Sequence, residues 1–156
     1  MDFRKILVAI DFSPISDRAI DMALALGHSD GGKVTLLHVC ELPAYSTPEL
    51  SMYVPSPELT EEMTERAKET LEDYRLRCAA AGVTVDVACL LGTSVAPEIV
   101  DYAAAGDFDL IVVGSHGRRG LRRLVLGSVA ERVVRTADRP VLTVRAHDAV
   151  VERRAT

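Results

Sequence analysis

Short, continuous apolar runs alternate with amphipathic segments along this chain, and no other feature constrains the fold as strongly. The first run, at 5–10, is aliphatic throughout after Lys5, which is typical of a strand buried on both faces. Comparable runs lie at 34–39, 109–113 and 140–144. Strands that alternate with helices form right-handed crossovers and a parallel sheet. We therefore predict an α/β fold, a single-domain three-layer sandwich whose five-stranded, mainly parallel sheet carries helices on both faces.

The remaining strand and the helices follow from periodicity and helix-start signals. Residues 83–91 alternate apolar and polar side chains, as an edge strand does. Helices are predicted to begin near Ser13, Ser56, Ser94 and Ser128, and a proline favours the start after the first two. The side chains predicted to face the core are Ile20, Ala23, Leu24 and Gly27 in the first helix, Leu59, Met63, Ala67, Leu71, Tyr74, Cys78 and Ala81 in the second, Val95, Ile99, Tyr102 and Ala103 in the third, and Val129, Val133, Val134 and Ala137 in the fourth.

The composition is that of one folded domain. The 156 residues are 48% hydrophobic and 26% charged, which excludes disordered and fibrous classes, and no run reaches the roughly 18–20 apolar residues of a membrane span. We expect a soluble, cytoplasmic protein with a domain at 1–146, a proline-rich flap at 41–57 and a polar C-terminal tail at 147–156. The cysteines form no C-x-x-C pair, so buried free thiols are expected: Cys40, Cys78 and Cys89.

The formal charge of −5 hides a strong asymmetry. Residues 1–117 hold 8 Lys+Arg and 19 Asp+Glu, whereas residues 118–156 hold 10 Arg and only 4 acids. Such a basic segment on an acidic body indicates either an anion partner or a basic tail.

Four of the ten glycines fall between 114 and 127, directly after a predicted buried strand and before a predicted helix. Glycines there let backbone amides form an anion-binding nest, and the helix start at Ser128 adds unpaired N–H groups. The segment lacks the Gly-Lys-Ser/Thr of a Walker loop, and the turn after the first strand lacks the G-x-G-x-x-G of a dinucleotide fold. Four arginines supply counter-charge, either to a phosphate or as a solvated face: Arg118, Arg119, Arg122 and Arg123.

The spacing Gly114-x-x-Gly117, nine residues, then Gly127-Ser128 resembles the G-2x-G-9x-G-S/T motif of the ATP-binding branch of the universal stress protein family. The similarity covers nearly the whole chain, because 6–13 resembles the family's first strand and its acidic turn, 36–39 its second strand and 140–144 its last. The resemblance implies an adenine nucleotide alpha hydrolase-like, Rossmann-like fold. It also implies ATP as ligand, with Mg²⁺, and an antiparallel homodimer through the last strand, Val141 to Val144.

The resemblance further implies a role for each matching residue. Adenine is expected at the backbone of Ala9 and Ile10 and at Val39, and ribose near Asp11 and Gly114. The amides of Ser115, His116, Gly117, Ser128 and Val129 are expected to hold the triphosphate, together with the Ser128 hydroxyl. Val113 and Gly127 complete the nucleotide site that the resemblance implies. Arg118 is added to the predicted site for its charge alone, because the loop with Gly120 and the four arginines is where the family is variable.

Physical arguments support the same location and leave several roles open. Ligands of open α/β sheets bind outside the carboxyl ends of strands where strand order reverses; if the first and fourth strands flank that reversal, Asp11 and Gly114 face one crevice. Asp11 alternatively caps the first helix. His116 is expected to be a neutral hydrogen-bond donor, with a base or metal ligand as the alternative, and His38 is expected to be structural.

Three functions are compatible with these residues. The first is an ATP-binding regulatory protein, a homodimer whose nucleotide-dependent switch in the stress response biases the flap toward an unidentified protein partner. The second is a slow ATPase, or an autophosphorylating or nucleotidyl-transfer enzyme with Ser115 or Ser128 as acceptor. The third, a nucleic-acid module, is disfavoured because the arginine-rich loop between the glycines contains no aromatic residue for base stacking.

Overall fold

The computed structural model describes residues 3–42, 55–116 and 126–145. The strands within these ranges are β1 (Lys5–Ala9), β2 (Lys33–Glu41), β3 (Thr84–Gly92), β4 (Leu110–Gly114) and β5 (Val141–Val144). The helices are α1 (Pro14–Asp30), α2 (Pro57–Cys78), α3 (Val95–Ala105) and α4 (Ser128–Thr136), and a short 3-10 turn at Ala79–Ala81 follows α2. None of the helices in these three ranges is long and apolar enough to cross a membrane.

The five strands form one parallel sheet in the order β3-β2-β1-β4-β5. This confirms the predicted α/β class, and β3 is the edge strand that its polar alternation indicates. The chain steps outward from β1 to β2 and β3, then returns to the other side of β1 for β4 and β5. Strand order therefore reverses between β1 and β4.

Helices cover both faces of the sheet, and the alternation of side chains along β1 shows how. Ile6 and Val8 are fully buried in a cluster with residues of α1 and α2, whereas Leu7 is fully buried in a second cluster with residues of α3 and α4. A strand packed on both faces has no position for a polar residue, which explains the continuous apolar run.

The ends of the predicted flap belong to regular structure. β2 extends to Glu41, and α2 begins at Pro57 after the N-cap residue Ser56. The segment 43–54 and the predicted tail at 147–156 lie outside the described residues. The long helix ends at Cys78 rather than Gly82, because the chain tightens into the 3-10 turn before Gly82 adopts a φ of 69°.

Two predicted core faces are only partly correct. On α2, Ala67, Leu71, Tyr74 and Cys78 are buried, but Leu59 and Met63 on the same stripe are 48% and 38% exposed among the described residues. On α4 the buried stripe is Ala130 and Val133, three residues apart. Val129 and Val134 each lie about 100° round the helix from that stripe, and both are exposed. Ala81 and Ala137, also predicted inward, are only partly buried.

Candidate functional site

The C-terminal ends of three neighbouring strands bring several of the predicted residues together at one end of the sheet. Ala9 of β1 lies between Leu37 of β2 and Val113 of β4 in the strand register. Two positions further along the chain from these three residues come Asp11, Val39 and Ser115. Val39 is still in β2, whereas Asp11 and Ser115 lie just beyond the ends of β1 and β4. The sheet thus assembles the predicted set where strand order reverses, the position at which open α/β sheets bind ligands.

The Asp11 carboxylate is held by two serines. Its Oδ1 accepts hydrogen bonds from the Ser13 amide at 3.1 Å, the Ser13 hydroxyl at 2.5 Å and the Ser16 hydroxyl at 2.8 Å, while the Ser16 Oγ accepts the Asp11 amide at 3.0 Å. The N-cap residue of α1 is Ser13, so Asp11 is not itself the cap. It fixes the turn that precedes the helix, and this turn fixes the orientation of its carboxylate.

The turn after β1 also carries unusual backbone geometry. Phe12 has a φ of 62°, a conformation that costs a residue with a Cβ about 1–2 kcal/mol. Its ring stacks on His38 with centroids 4.3 Å apart and contacts Tyr74 at 5.9 Å. His38 Nδ1 donates to the Ile10 carbonyl at 2.9 Å. His38 therefore has the structural role expected of it, which is to hold this turn in place.

Gly114 is the last residue of β4, and α1 packs closely against it. A Cβ built on Gly114 would lie 2.8 Å from Cγ2 of Ile15 in α1, closer than packed carbon atoms approach. The glycine thus has a packing reason besides the predicted closeness to ribose. It allows the start of α1, and with it Asp11, to approach the end of β4.

Ser115 joins three elements and is almost completely buried. Its amide donates to the Val144 carbonyl of β5 at 2.7 Å, and its carbonyl accepts the Gly127 amide at 2.7 Å. Its Oγ lies 3.1 Å from Nδ1 of His116. Ser115 therefore places the start of α4 directly beside the end of β4.

These backbone contacts correct one of the predicted ligand groups and narrow another to a single atom. The Ser115 amide was predicted to hold phosphate, but it is already bonded to Val144, and a backbone N–H has only one proton to donate. The Ile10 amide likewise donates to the Leu37 carbonyl at 2.9 Å, so only its carbonyl can face an adenine. Sequence patterns do not report such pairings, because they arise from the tertiary register.

The N-terminus of α4 has the character of an anion site. The N-cap residue is Gly127, which has no side chain that could accept a hydrogen bond. The first-turn amides of Ser128 and Val129 therefore have no side-chain acceptor at the N-cap. Both residues are exposed. The helix dipole adds partial positive charge there.

The loop that leads to α4 is described only at its two ends. His116 Nε2 is buried without a hydrogen-bond partner among the residues that the structure describes. Gly117, Arg118 and the other three arginines lie outside those residues, so their predicted phosphate contacts stay predictions. No group of three or more His, Cys, Asp or Glu side chains suited to a metal occurs within 3–42, 55–116 and 126–145.

Sequence reasoning missed the residues that support Asp11. Ser13 and Ser16 follow it at i+2 and i+5 and bond its carboxylate, and His38 holds the same turn through the Ile10 carbonyl. Short serine side chains after a strand-ending aspartate are a signal for a local hydrogen-bonded turn, although that signal does not identify which oxygen they bond. The Ile15–Gly114 contact has no sequence signal at all.

Comparison with known proteins now identifies the family. The sequence model of the universal stress protein family matches residues 2–145. The chain belongs to the universal stress protein family. A relative, universal stress protein YxiE of Bacillus subtilis, is 35% identical over 148 residues, which cover 92% of this chain and 99% of that protein.

Solved structures of other universal stress proteins and their relatives share this architecture. The structure of MJ0577 from Methanocaldococcus jannaschii superposes with a TM-score of 0.80 at 30% identity and covers 96% of this chain and 100% of its own. The universal stress protein of Archaeoglobus fulgidus in complex with dAMP superposes with a TM-score of 0.65 at 27% identity, covering 92% of this chain and 99% of its own. Family and fold are therefore those that the glycine spacing and strand order predict.

Proposed function

We propose that this universal stress protein is a cytoplasmic, homodimeric regulatory protein that binds an adenine nucleotide, ATP in the first place, and switches with it in the stress response. The main support is one observation. Asp11, Val39, Gly114 and the first turn of α4 all lie at the C-terminal ends of the strands, where strand order reverses. The dAMP complex of the relative from A. fulgidus adds support for the class of ligand.

The adenine and ribose are proposed to lie over the ends of β1 and β2. The Ile10 carbonyl accepts one hydrogen bond from His38 and keeps a second lone pair for an exocyclic amine. Backbone at Ala9 and Val39 borders the same position, and Val113 lies beside Ala9 on β4. Asp11, oriented by its serines, is proposed to accept from a ribose hydroxyl.

The phosphates are proposed to extend toward α4. The amides of Ser128 and Val129, with the Ser128 hydroxyl, are the donors that the described residues offer there. Gly117 and Gly127 remain part of the proposed site on the family motif, His116 as a residue between the motif's first two glycines, and Arg118 as a positive charge in the loop that follows them. Since the described residues contain no metal-binding cluster of their own, Mg²⁺ is proposed to arrive on the phosphates, where Asp11 contacts it through water.

Isothermal titration calorimetry of the purified protein with ATP tests this proposal. We expect saturable one-site binding, with Asp11→Asn weakening it and Asp101→Asn, an exposed substitution on α3, leaving it unchanged. Absence of any binding heat at millimolar ATP, or equal loss in both variants, contradicts the proposed site.

A further inference from the structure

Two cysteines that the nucleotide site does not use lie side by side on neighbouring strands. Cys40 Sγ of β2 is 3.7 Å from Cys89 Sγ of β3, and both are free thiols. In the register, Cys89 pairs with His38, two residues before Cys40. The two thiols are thus diagonal neighbours on the same face of the sheet, with their side chains turned toward one another.

The two thiols differ in their exposure. Cys40 is buried, whereas Cys89 is partly exposed. The charged groups that act on Cys89 come from α2, where Lys68 Nζ lies 2.7 Å from Glu65 Oε1. A small reagent therefore meets Cys89 first, and Cys40 stands behind it as the second thiol.

We propose that Cys40 and Cys89 form a reversible intrachain disulfide when the protein meets a hydroperoxide. Cys89 sulfur attacks the terminal oxygen, the O–O bond breaks, and the products are a sulfenic acid on Cys89 and an alcohol or water. Cys40 sulfur then attacks the sulfenic sulfur and expels water. In sum, two thiols and one hydroperoxide give one disulfide, one alcohol or water, and one water; a dithiol reductant reverses the change.

The second step takes place between two sulfurs that are already neighbours. The sulfurs must approach from 3.7 Å to the bond length of about 2.05 Å, which takes side-chain rotation together with a small movement of the two strands, because diagonal neighbours start farther apart than directly opposed residues. A sulfenic acid formed on Cys89 already touches its resolving thiol. That contact favours disulfide formation over further oxidation to sulfinic acid.

The surroundings set the rate of the first step. Burial, followed by the hydrogen bond and charge interaction with Cys40, raises the pKa of Cys89 to about 12. Because the thiolate is the nucleophile, oxidation is slow at neutral pH and accelerates roughly tenfold per pH unit between pH 7 and pH 9. An ordinary exposed thiol, with a pKa of about 8.5, would level off in the same range.

The disulfide would also stabilise the fold. It joins residues 49 positions apart, and closing such a loop restricts the unfolded chain. We expect Tm to rise by roughly 5–10 °C on oxidation and to return to its starting value after reduction. Nucleotide is not needed for this change, so its outcome is independent of the proposed function.

Hydrogen peroxide treatment of the full chain at pH 8, followed by intact-mass and peptide mapping without reduction, tests the proposal. The expected product is a single covalent chain that is lighter by two hydrogens. Its peptide map should contain a linked Cys40–Cys89 peptide both in wild type and in Cys78→Ala. Cys89→Ala should show neither the mass loss nor the Tm rise. Mapping on the wild type keeps the test decisive if a variant fails to fold.

Three results would overturn the proposal. One is an oxidised wild type whose only product is sulfinic acid on Cys89, and another is a disulfide that links two chains or involves Cys78. The third is a mass unchanged after prolonged peroxide treatment at pH 9.

Discussion

At the scale of single residues, Asp11, the proposed ribose ligand, is held in one orientation by its neighbours. Three hydrogen bonds converge on one of its oxygens, and all three come from two serines that are themselves buried. Each fixed contact removes freedom that binding would otherwise have to remove. The serines therefore matter to affinity without touching the nucleotide.

Removing one of these serines should weaken ribose recognition specifically. Ser16→Ala deletes both hydrogen bonds of Ser16 Oγ to Asp11, each worth about 1 kcal/mol. Because only part of that loss reaches the nucleotide through Asp11, we expect ATP affinity to fall roughly fivefold. The affinity for 2′,3′-dideoxy-ATP should change much less, because that analogue lacks the hydroxyls that Asp11 is proposed to bind. Ser94→Ala, whose serine makes no side-chain cap on α3, is the matched control. Equal losses for both nucleotides would mean that Ser16 only supports the fold.

A second residue-scale prediction concerns stability. Gly114→Ala introduces a Cβ at 2.8 Å from Ile15 Cγ2, and such overpacking costs about 1–3 kcal/mol. The free energy of unfolding from urea titration measures this cost. In the double variant with Ile15→Ala the clash is gone, so the two costs should sum to more than the double variant loses. Strict additivity would show that Ile15 is not the obstacle.

At the scale of elements, the start of α4 is the part of the proposed site with the clearest electrostatic character. Gly127 has a φ of −62° and a ψ of 152°, a backbone conformation open to any residue. A side chain there tests access to the helix terminus rather than backbone strain.

Gly127→Val should therefore lower triphosphate binding while the protein stays folded. The branched side chain stands in front of the first-turn amides, so we expect at least a tenfold loss of ATP affinity and a smaller loss for AMP. Calorimetry with both nucleotides gives the ratio, and circular dichroism reports the fold. If ATP binds the variant as tightly as wild type, the phosphates do not lie at α4.

The strands and helices also show how much of the fold can be predicted from the sequence. Strand positions, parallel order and the edge character of β3 were predictable because burial on two faces leaves a continuous apolar run and an edge leaves alternation. The exposed Leu59 and Met63 were not, since a helical stripe carries no information about where its covering partner ends. In the same way, the sequence predicts the location of the site but not the bond from Val144 that engages the Ser115 amide.

At the scale of the whole molecule, the proposed role is binding with little turnover. Hydrolysis needs a base or a positioned water beside the γ-phosphate, whereas Asp11, the carboxylate of the proposed site, is proposed to bind the ribose and already accepts three hydrogen bonds through one oxygen. We expect phosphate release from ATP well below about 1 per second. Sustained release at 1–10 per second in a malachite green assay would refute this expectation.

The two edges of the sheet differ in a way that predicts how two copies associate. β3 carries Asp86, ion-paired with Lys33, along its edge, and charge on an edge strand opposes pairing with another strand. β5, the other edge, reads Val-Leu-Thr-Val without a charge, and three of its four side chains are partly exposed. Among the described strands, β5 has a neighbour on one side only. An uncharged edge strand of this kind is a template for a second strand, which supports the proposed antiparallel dimer through Val141–Val144.

A lysine introduced on β5 or on β3 tests which of the two edge strands forms the dimer interface. Thr143→Lys places a charge in β5, where an antiparallel two-fold pairing would bring it near its own copy, so we expect the dimer to dissociate at micromolar concentration. Thr84→Lys puts the same charge on β3, an exposed site, and should leave the dimer intact. Sedimentation velocity measures both species, and nucleotide affinity checks that each variant keeps its site. A dimer that persists in Thr143→Lys but dissociates in Thr84→Lys would assign the interface to the opposite edge of the sheet.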